Sequence, residues 1–298
     1  MQKLLMKNTE EIRNNIMEIS TETGSFKALG IMENVLPVLK DGGFTAFDAT
    51  EVGPMSEILK AEDYLKKAEK LRSFADKTGI VCNQAHAPAP SWKKGETEFN
   101  RKKFAEIVRC MEVSSVLGAK VCVVHPGNAT AEENAEFYLS LEPYARRLGL
   151  KIGVENMWNA INDENGFKAT KAACSHPEDF KAHLELLPVD VFVACLDIGH
   201  VSMFPGEVDC VEMIHTLGDR LQALHIHDND LCHDDHELPY SRSIQWAPIW
   251  NALKDIGYSG DVTLESRSFL PKFPVEVYPS AIRLMAATAE FIRKQLQS

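Results

Sequence analysis

The sequence alternates short apolar runs with longer segments of helical period, and it does so eight times. Parallel strands that are each followed by a helix produce this alternation. The length of 298 residues suits either two ordinary domains or one α/β barrel, and no proline- or serine-rich linker interrupts the chain. The alternation therefore predicts an α/β protein with a single (β/α)₈ TIM-barrel domain spanning residues 1–298.

A doubly wound open sheet is the alternative fold. It is disfavoured because neither GxGxxG nor GxxxxGK[ST] follows the first apolar run, so the usual nucleotide-binding fingerprint of that fold is missing. The pattern predicts an ill-defined first strand around Phe26 and a helix at 175–187 with Ser175 as N-cap. The other predicted strands are 44–51, 80–88, 120–127, 150–158, 191–200, the run that begins at 221, and 261–266.

Charge and cysteine content restrict the classes of partner. The 43 acidic and 32 basic residues give a net charge of −11, which disfavours a nucleic-acid partner. No window reaches the 18 apolar residues that a membrane span needs, and residues 1–15 lack an apolar signal core. Seven scattered cysteines without a CxxC pair predict reduced thiols. We therefore expect a cytoplasmic protein without a membrane partner.

Residues 221–236, LQALHIHDNDLCHDDH, hold four of the ten histidines together with four aspartates. The period of two in a strand places His225 and His227 on one face, with the other ionisable groups where the apolar run ends. A solvated loop after a core strand would explain the aspartates but not the histidines. This stretch therefore predicts a strand whose carboxyl end carries chemistry.

Potential metal ligands also end the earlier and later apolar runs. They are His86, His125, Glu155, Asp197, His200, His227 and Glu265. Each one alone could be a helix cap or a loop residue. Because the carboxyl ends of barrel strands share one mouth, seven together predict a site in which a bound cation offsets the buried charge. The mixture of carboxylate and imidazole suits Mn²⁺, Mg²⁺, Co²⁺ or Zn²⁺, and the absence of thiolate argues against a structural zinc.

The chain resembles the xylose-isomerase-like TIM-barrel superfamily, which includes sugar epimerases of the D-tagatose 3-epimerase group and, more distantly, endonuclease IV. The resemblance rests on HAP, VVHPG, GVEN, LDIGH, HIHDND, DDHELP and TLES, in this order. It implies a metal-dependent isomerase or epimerase of a small sugar, sugar phosphate or cyclitol. The reaction would pass through an enediolate intermediate.

The resemblance to the epimerases also implies roles for individual residues. One divalent metal would be held by Glu155, Asp197, His227 and Glu265, with His225 as the next candidate, deeper in the barrel. Glu155 and Glu265 would also be the catalytic acid–base pair. The residues expected to contact substrate are His86, His125, His200, Asn156, Trp158 and Arg267. The chain departs from the epimerases after strand seven, where HDDHELPYSRSIQW replaces an Asn-Arg pair and a PGxG turn.

Endonuclease IV is the alternative within the same resemblance. Its multi-zinc site would add His86, His125, His200, Asp234 and His236 as further metal ligands, which implies a phosphoesterase. A barrel that binds sugars without turnover is the third hypothesis. Under the first hypothesis the partner is a small carbohydrate, nucleic acid is not a partner, and a homo-oligomer is compatible with the sequence.

Overall fold

A computed structural model describes residues 17–164 and 166–298. The expectation about a signal core in residues 1–15 lies outside these residues. Within them, eight parallel strands form a barrel, which confirms the predicted (β/α)₈ fold. The barrel strands are β1 (Ile19–Thr21), β2 (Ala46–Thr50), β3 (Val81–His86), β4 (Val121–Val124), β5 (Lys151–Glu155), β8 (Phe192–Asp197), β9 (Leu221–His225) and β10 (Val262–Leu264).

Backbone hydrogen bonds close the barrel on both sides of the β1–β10 pair. Strands β2, β3, β4, β5, β8 and β9 form one continuous parallel sheet, and β1 pairs with β10. The amide of Thr45 donates to the carbonyl of Ile19 at 3.1 Å and joins β1 to the region of β2. The amide of Glu265 donates to the carbonyl of Ile226 at 2.9 Å and joins β10 to the end of β9. The carboxyl ends of all eight strands therefore surround one mouth.

Helices cover the outside of the barrel and return the chain to the opposite end after each strand. They are α1 (Met32–Gly42), α2 (Ser56–Lys60), α3 (Tyr64–Thr78), α4 (Thr97–Leu117), α5 (Ala131–Leu148), α6 (Pro177–Glu185), α7 (Ile198–Ser202), α8 (Cys210–Leu217), α9 (Trp246–Asp255) and α10 (Tyr278–Gln297). Thr130 and Glu133 form a reciprocal capping box at the start of α5. Gly79 ends α3 in a left-handed conformation, as its position in the pattern predicts.

An antiparallel hairpin stands at the mouth outside the barrel sheet. Its strands are β6 (Asn159–Asp163) and β7 (Gly166–Thr170), directly after β5. Phe167 of this hairpin contacts Trp158 edge-on, with ring centroids 5.9 Å apart. The hairpin therefore forms one wall of the mouth.

The barrel interior changes character along its axis. Its apolar layer consists of Val121, Val123, Val193, Cys195 and Ala223, all buried and separate from the large core between the sheet and the helices. Towards the carboxyl ends of the strands, ionisable residues replace these small apolar side chains. Packed interiors of this kind are cores and not pores, so the polar layer is where a ligand can be held.

Two sequence predictions are wrong. Phe26 lies in a 3₁₀ helix, Gly24–Leu29, and the first strand precedes it at Ile19–Thr21. This strand is buried although it is polar, since Ser20 and Thr21 are fully buried, and a polar strand gives no apolar run to detect. Ser175 does not cap α6: His176 is the N-cap residue, and the Ser175 hydroxyl donates to the carbonyl of Ala172 at 2.8 Å.

Among the helices of residues 17–164 and 166–298, none is long and apolar enough to cross a membrane.

Candidate active site

Four ionisable side chains at the ends of neighbouring strands meet inside the mouth. Glu155, Asp197 and His225 are the last residues of β5, β8 and β9, and Glu265 directly follows β10. Each is at least 97% buried. One ligand atom from each lies within 4.8 Å of the others, and we call these four residues the strand cluster. Sheet pairing places two of them side by side, because Asp197 and His225 are register partners in β8 and β9.

His225 makes the close contacts of the strand cluster. Its Nδ1 is 2.8 Å from Glu155 Oε1 and 3.3 Å from Glu265 Oε2. On its other side, Nε2 faces Asp48 Oδ2 at 3.7 Å. The sequence assigned the imidazole ligand of this set to His227, whereas the structure brings His225 to the three carboxylates.

His227 belongs to a second group nearer the opening. With His200, Asp234 and His236 it forms the loop cluster, whose ligand atoms also lie within 4.8 Å of one another. The Nε2 atom of His227 is 3.4 Å from Asp234 Oδ1 and 3.1 Å from Asp197 Oδ1. Asp197 therefore lies between the two clusters.

His86 and His125 extend the site on the other side of Glu155. Their Nε2 atoms are 2.9 Å apart. Glu155 Oε2 lies 3.0 Å from His125 Nε2 and 3.4 Å from His86 Nε2. The structure thus brings together all nine residues that the sequence proposed as metal ligands, in three adjoining groups that share Glu155 and Asp197.

The electrostatics of the strand cluster favour ionised carboxylates. Burial alone would raise the pKa of Glu155, but the imidazoles of His225 and His125 outweigh it and hold this pKa well below its ordinary value. Burial is likewise outweighed at Glu265, where the Arg267 guanidinium and His225 lower the pKa of the carboxyl. Both glutamates are therefore charged at neutral pH, as metal ligands and proton acceptors must be.

Four histidines of the site point Nδ1 at a backbone carbonyl, and His227 has the longest of these contacts, 3.4 Å to Asp228 O. Nδ1 of His86 donates to Ala87 O at 3.0 Å, Nδ1 of His200 to Asn156 O at 2.8 Å, and Nδ1 of His236 to Glu265 O at 2.8 Å. A carbonyl can only accept, so each bond fixes the ring and turns Nε2 towards the mouth. Histidines that bind metals in proteins are held in this way.

Buried atoms without a hydrogen bond provide a further test of whether a cation fits. Within the part of the chain that the structure describes, Asp197 Oδ2, Glu265 Oε2, His227 Nε2 and Asp234 Oδ1 are buried and have no hydrogen-bond partner. Buried polar atoms left unpaired destabilise a fold, and all four are atoms that bind divalent cations. The donor set therefore fits a metal ion.

The three residues predicted to contact substrate outside the histidine set lie in different surroundings. Asn156 is buried, and its amide and carbonyl groups bond to the backbone of Asp197 at 2.9 and 2.7 Å, so it positions that carboxylate. Arg267 is half-exposed and bonded to Glu265. Trp158 is half-buried, with its ring 6.5 Å from that of His200.

Two further buried carboxyl groups at the mouth are absent from the sequence predictions. The carboxylate of Asp48 accepts a hydrogen bond from the side-chain amide of Gln84 at 3.2 Å, and it also faces the His225 ring. Glu22 accepts from the backbone amides of Gly24 and Ser25. Asp48 had a signal, an acid inside the apolar run FTAFDATE, whereas Glu22 follows a strand with no apolar run.

Comparisons with known proteins agree with this architecture. The family model described as a xylose isomerase-like TIM barrel matches residues 36–295. An uncharacterised protein of Methanocaldococcus jannaschii is 26% identical over 236 residues, which are 74% of this chain and 75% of that protein.

Two solved structures share the fold at low sequence identity. A D-psicose 3-epimerase, solved in the presence of D-fructose, superposes with a TM-score of 0.72 at 14% identity, covering 95% of this chain and 100% of that one. A D-tagatose 3-epimerase-like protein superposes with a TM-score of 0.70 at 18% identity, covering 94% and 100%. Because the family model matches most of the chain, the protein belongs to the xylose isomerase-like TIM-barrel family.

Proposed function

We propose that the protein is a metal-dependent isomerase or epimerase of a small carbohydrate, with Glu155 and Glu265 moving the substrate proton. The observation that carries this proposal is the strand cluster, in which two buried carboxylates share one imidazole. Glu155 and Glu265 stand on β5 and β10, with β8 and β9 between them around the barrel. Their carboxylates therefore reach a substrate from different sides.

A divalent ion suits the donor atoms of Glu155, Asp197, His225 and Glu265, and when bound it would polarise a substrate carbonyl and acidify the neighbouring C–H. The two glutamates do the remaining chemistry. One ionised carboxylate accepts the proton of the carbon beside the carbonyl, and the other, once protonated from solvent, returns a proton to the opposite face. His225 Nδ1 and Glu155 Oε1 lie 2.8 Å apart, so both donor atoms are directed at one point of the site.

The test replaces each glutamate by glutamine. An amide keeps a carbonyl oxygen for the metal but cannot accept the proton, so Glu155→Gln and Glu265→Gln should each lower turnover about 10²- to 10⁴-fold. Elemental analysis and circular dichroism should show a folded protein that retains much of its metal. Glu112→Gln is the control, because Glu112 bonds to Tyr64 and Arg147 away from the mouth. Full activity in either site variant on a panel of ketohexoses would contradict the assignment.

The loop cluster and the His86–His125 pair favour a second candidate function, a multi-zinc phosphoesterase. Three adjoining ligand groups can hold more than one cation. The number of bound metal ions separates the two functions: one per chain for the isomerase, two or three for the phosphoesterase. Net charge of −11 weighs against DNA as its substrate. Metal-dependent cleavage of abasic-site DNA would reverse the ranking, and a metal-loaded protein without turnover of any sugar would support the binding-only barrel.

A further inference from the structure

A cavity of about 300 Å³ opens beside His125. Its walls are mostly apolar and include Trp92, Pro126, Met157 and Trp158. Ligand pockets in proteins begin at about this size. Since His125 lines the cavity and also contacts Glu155, a ligand in the cavity adjoins the strand cluster.

The Trp92 side of the cavity is a rigid wall. The indole Nε1 of Trp92 donates to Asn134 Oδ1 at 3.0 Å, and its ring stacks on Phe137 with centroids 6.0 Å apart. The same Asn134 oxygen accepts from the amide of Gly127 at 2.8 Å. A Cβ at Gly127 would clash with the indole, so the ring lies directly on the backbone that follows His125.

Trp158 lines the same cavity from the loop after β5. It comes three residues after Glu155, and its ring is fixed edge-on against Phe167 of the hairpin and against His200. Two indoles therefore border a space that is separated from Glu155 by the His125 ring. Indole rings offer large flat surfaces with little conformational freedom to lose, which suits them to binding the apolar face of a ring.

The charges around the cavity argue against a phosphate in it. Lys93 and Lys94 are its cations, but Lys94 pairs with Glu133, and the ammonium of Lys93 lies over the Phe99 ring, 4.9 Å from its centroid. A phosphate group requires cations or backbone amides directed at it. Both lysines here are directed at other groups of the protein.

We propose that this cavity binds a second sugar ring, and that the substrate of the site is therefore a glycoside rather than a free monosaccharide. This inference rests on the proposed function. The reacting sugar would occupy the strand cluster, while its glycosidic partner would lie between Trp92 and Trp158. The parts of the two indoles that line the cavity would replace water on the apolar side of that ring.

The test compares isomaltulose, a glucosyl-fructose, with D-fructose and D-fructose 6-phosphate on Mn²⁺-loaded protein. Calorimetry should show that isomaltulose binds at least about tenfold more tightly than either. Trp92→Ala should weaken isomaltulose binding at least about tenfold more than D-fructose binding. Trp92→Phe, which keeps a ring, should restore part of the loss, and Lys93→Ala is the matched control within the same cavity.

The outcomes separate this inference from the proposed function. Tightest binding of D-fructose 6-phosphate, lost in Lys93→Ala, would overturn the glycoside subsite in favour of an anion site. Equal binding of isomaltulose and D-fructose, or binding that is insensitive to Trp92→Ala, would also overturn it. Isomaltulose binding that depends on Trp92, without turnover of any ketose, would uphold the subsite and contradict the isomerase.

Discussion

The strand cluster and the loop cluster are built from similar residues but are held in place by different parts of the fold. Glu155, Asp197 and His225 end barrel strands, so the hydrogen bonds of the sheet fix their backbone. Asp234 and His236 lie instead in the long segment between β9 and α9. In that segment Leu231, His236 and Tyr240 have positive φ, a conformation that non-glycine residues adopt at a cost.

One carboxylate organises the segment that carries the loop cluster. Asp228 is fully buried, and its Oδ1 accepts from the amides of Asn229 at 2.9 Å and Ile244 at 3.1 Å. Its Oδ2 accepts from the amide of Arg242 at 3.1 Å and from the Trp246 indole at 3.3 Å. Four donors compensate its desolvation. The strand cluster thus depends on the whole barrel, whereas the loop cluster depends on a local hydrogen-bond centre.

The largest expected effect separates the two histidines of the HIH motif. Because His225 contacts Glu155 and Glu265, His225→Ala should weaken Mn²⁺ binding by more than about a hundredfold. This loss is larger than the loss caused by removing a residue that only supports a metal ligand. His227→Ala should weaken the same ion by about tenfold or less, since His227 reaches the strand cluster only through Asp197. Calorimetric titration of the metal-stripped variants measures both.

A larger loss in His227→Ala than in His225→Ala would contradict the division into two clusters and would support the ligand set predicted from sequence. Circular dichroism of both variants controls for folding, because both rings are fully buried.

Asp228→Asn should affect the loop cluster alone. The asparagine side chain has one oxygen that can accept hydrogen bonds, and its NH₂ group would face two of the four donors that the carboxylate now satisfies. Each donor left unsatisfied destabilises this loop by about 1–3 kcal/mol. We expect weaker binding of a metal ion at the loop cluster and unchanged binding at the strand cluster. Metal-to-protein ratios across a Zn²⁺ titration give this measurement.

Asp230→Asn is the matched control in the same loop, since the Asp230 carboxylate bonds to exposed groups at Cys232 and His233. Equal loss of metal from both sites in Asp228→Asn would show that the clusters are not independently supported.

The smallest expected effect concerns Glu22, a buried carboxyl outside both clusters. Burial raises its pKa from 4.5 to about 7, in contrast to Glu155 and Glu265, whose histidine and arginine neighbours lower theirs. As pH rises, the unfolded chain releases this proton at a lower pH than the folded protein does. Glu22 therefore destabilises the fold progressively between pH 4.5 and pH 7. Glu22→Gln should stabilise the protein at pH 8 by roughly 1–2 kcal/mol and have no effect near pH 4.5.

Urea unfolding at the two pH values measures this difference, with Glu69→Gln, on the exposed side of α3, as the control for loss of one negative charge. A variant less stable than wild type at pH 8 would mean that the bonds of Glu22 to Gly24 and Ser25 outweigh its burial.

The sequence predicts the strand cluster well because its members end apolar runs that are themselves easy to recognise. It assigns the imidazole ligand to His227 and keeps His225 as the next candidate, since a period of two puts both on one face. Side-chain distances separate the two instead: His225 Nδ1 lies 2.8 Å from Glu155 and 3.3 Å from Glu265, whereas His227 Nε2 lies 3.1 Å from Asp197. The site roles of these residues stay predictions until the variants are measured.

Other features that the sequence does not predict depend on long-range contacts. The first strand is polar, so its burial depends on partners such as Thr263, whose hydroxyl accepts from Ser20 at 2.9 Å across 243 residues. The cavity beside His125 depends on Asn134, which comes from the start of α5. Local patterns contain no information on such long-range hydrogen bonds.

Proton exchange with solvent tests the central claim most directly. Ketohexoses and isomaltulose would each be incubated with Mn²⁺-loaded protein in heavy water and followed by proton NMR. If Glu155 and Glu265 carry the proton, each product molecule gains deuterium at the carbon beside the carbonyl, because a protonated carboxyl exchanges with solvent. Product formed without deuterium would indicate a direct hydride shift and would contradict the role of the two glutamates.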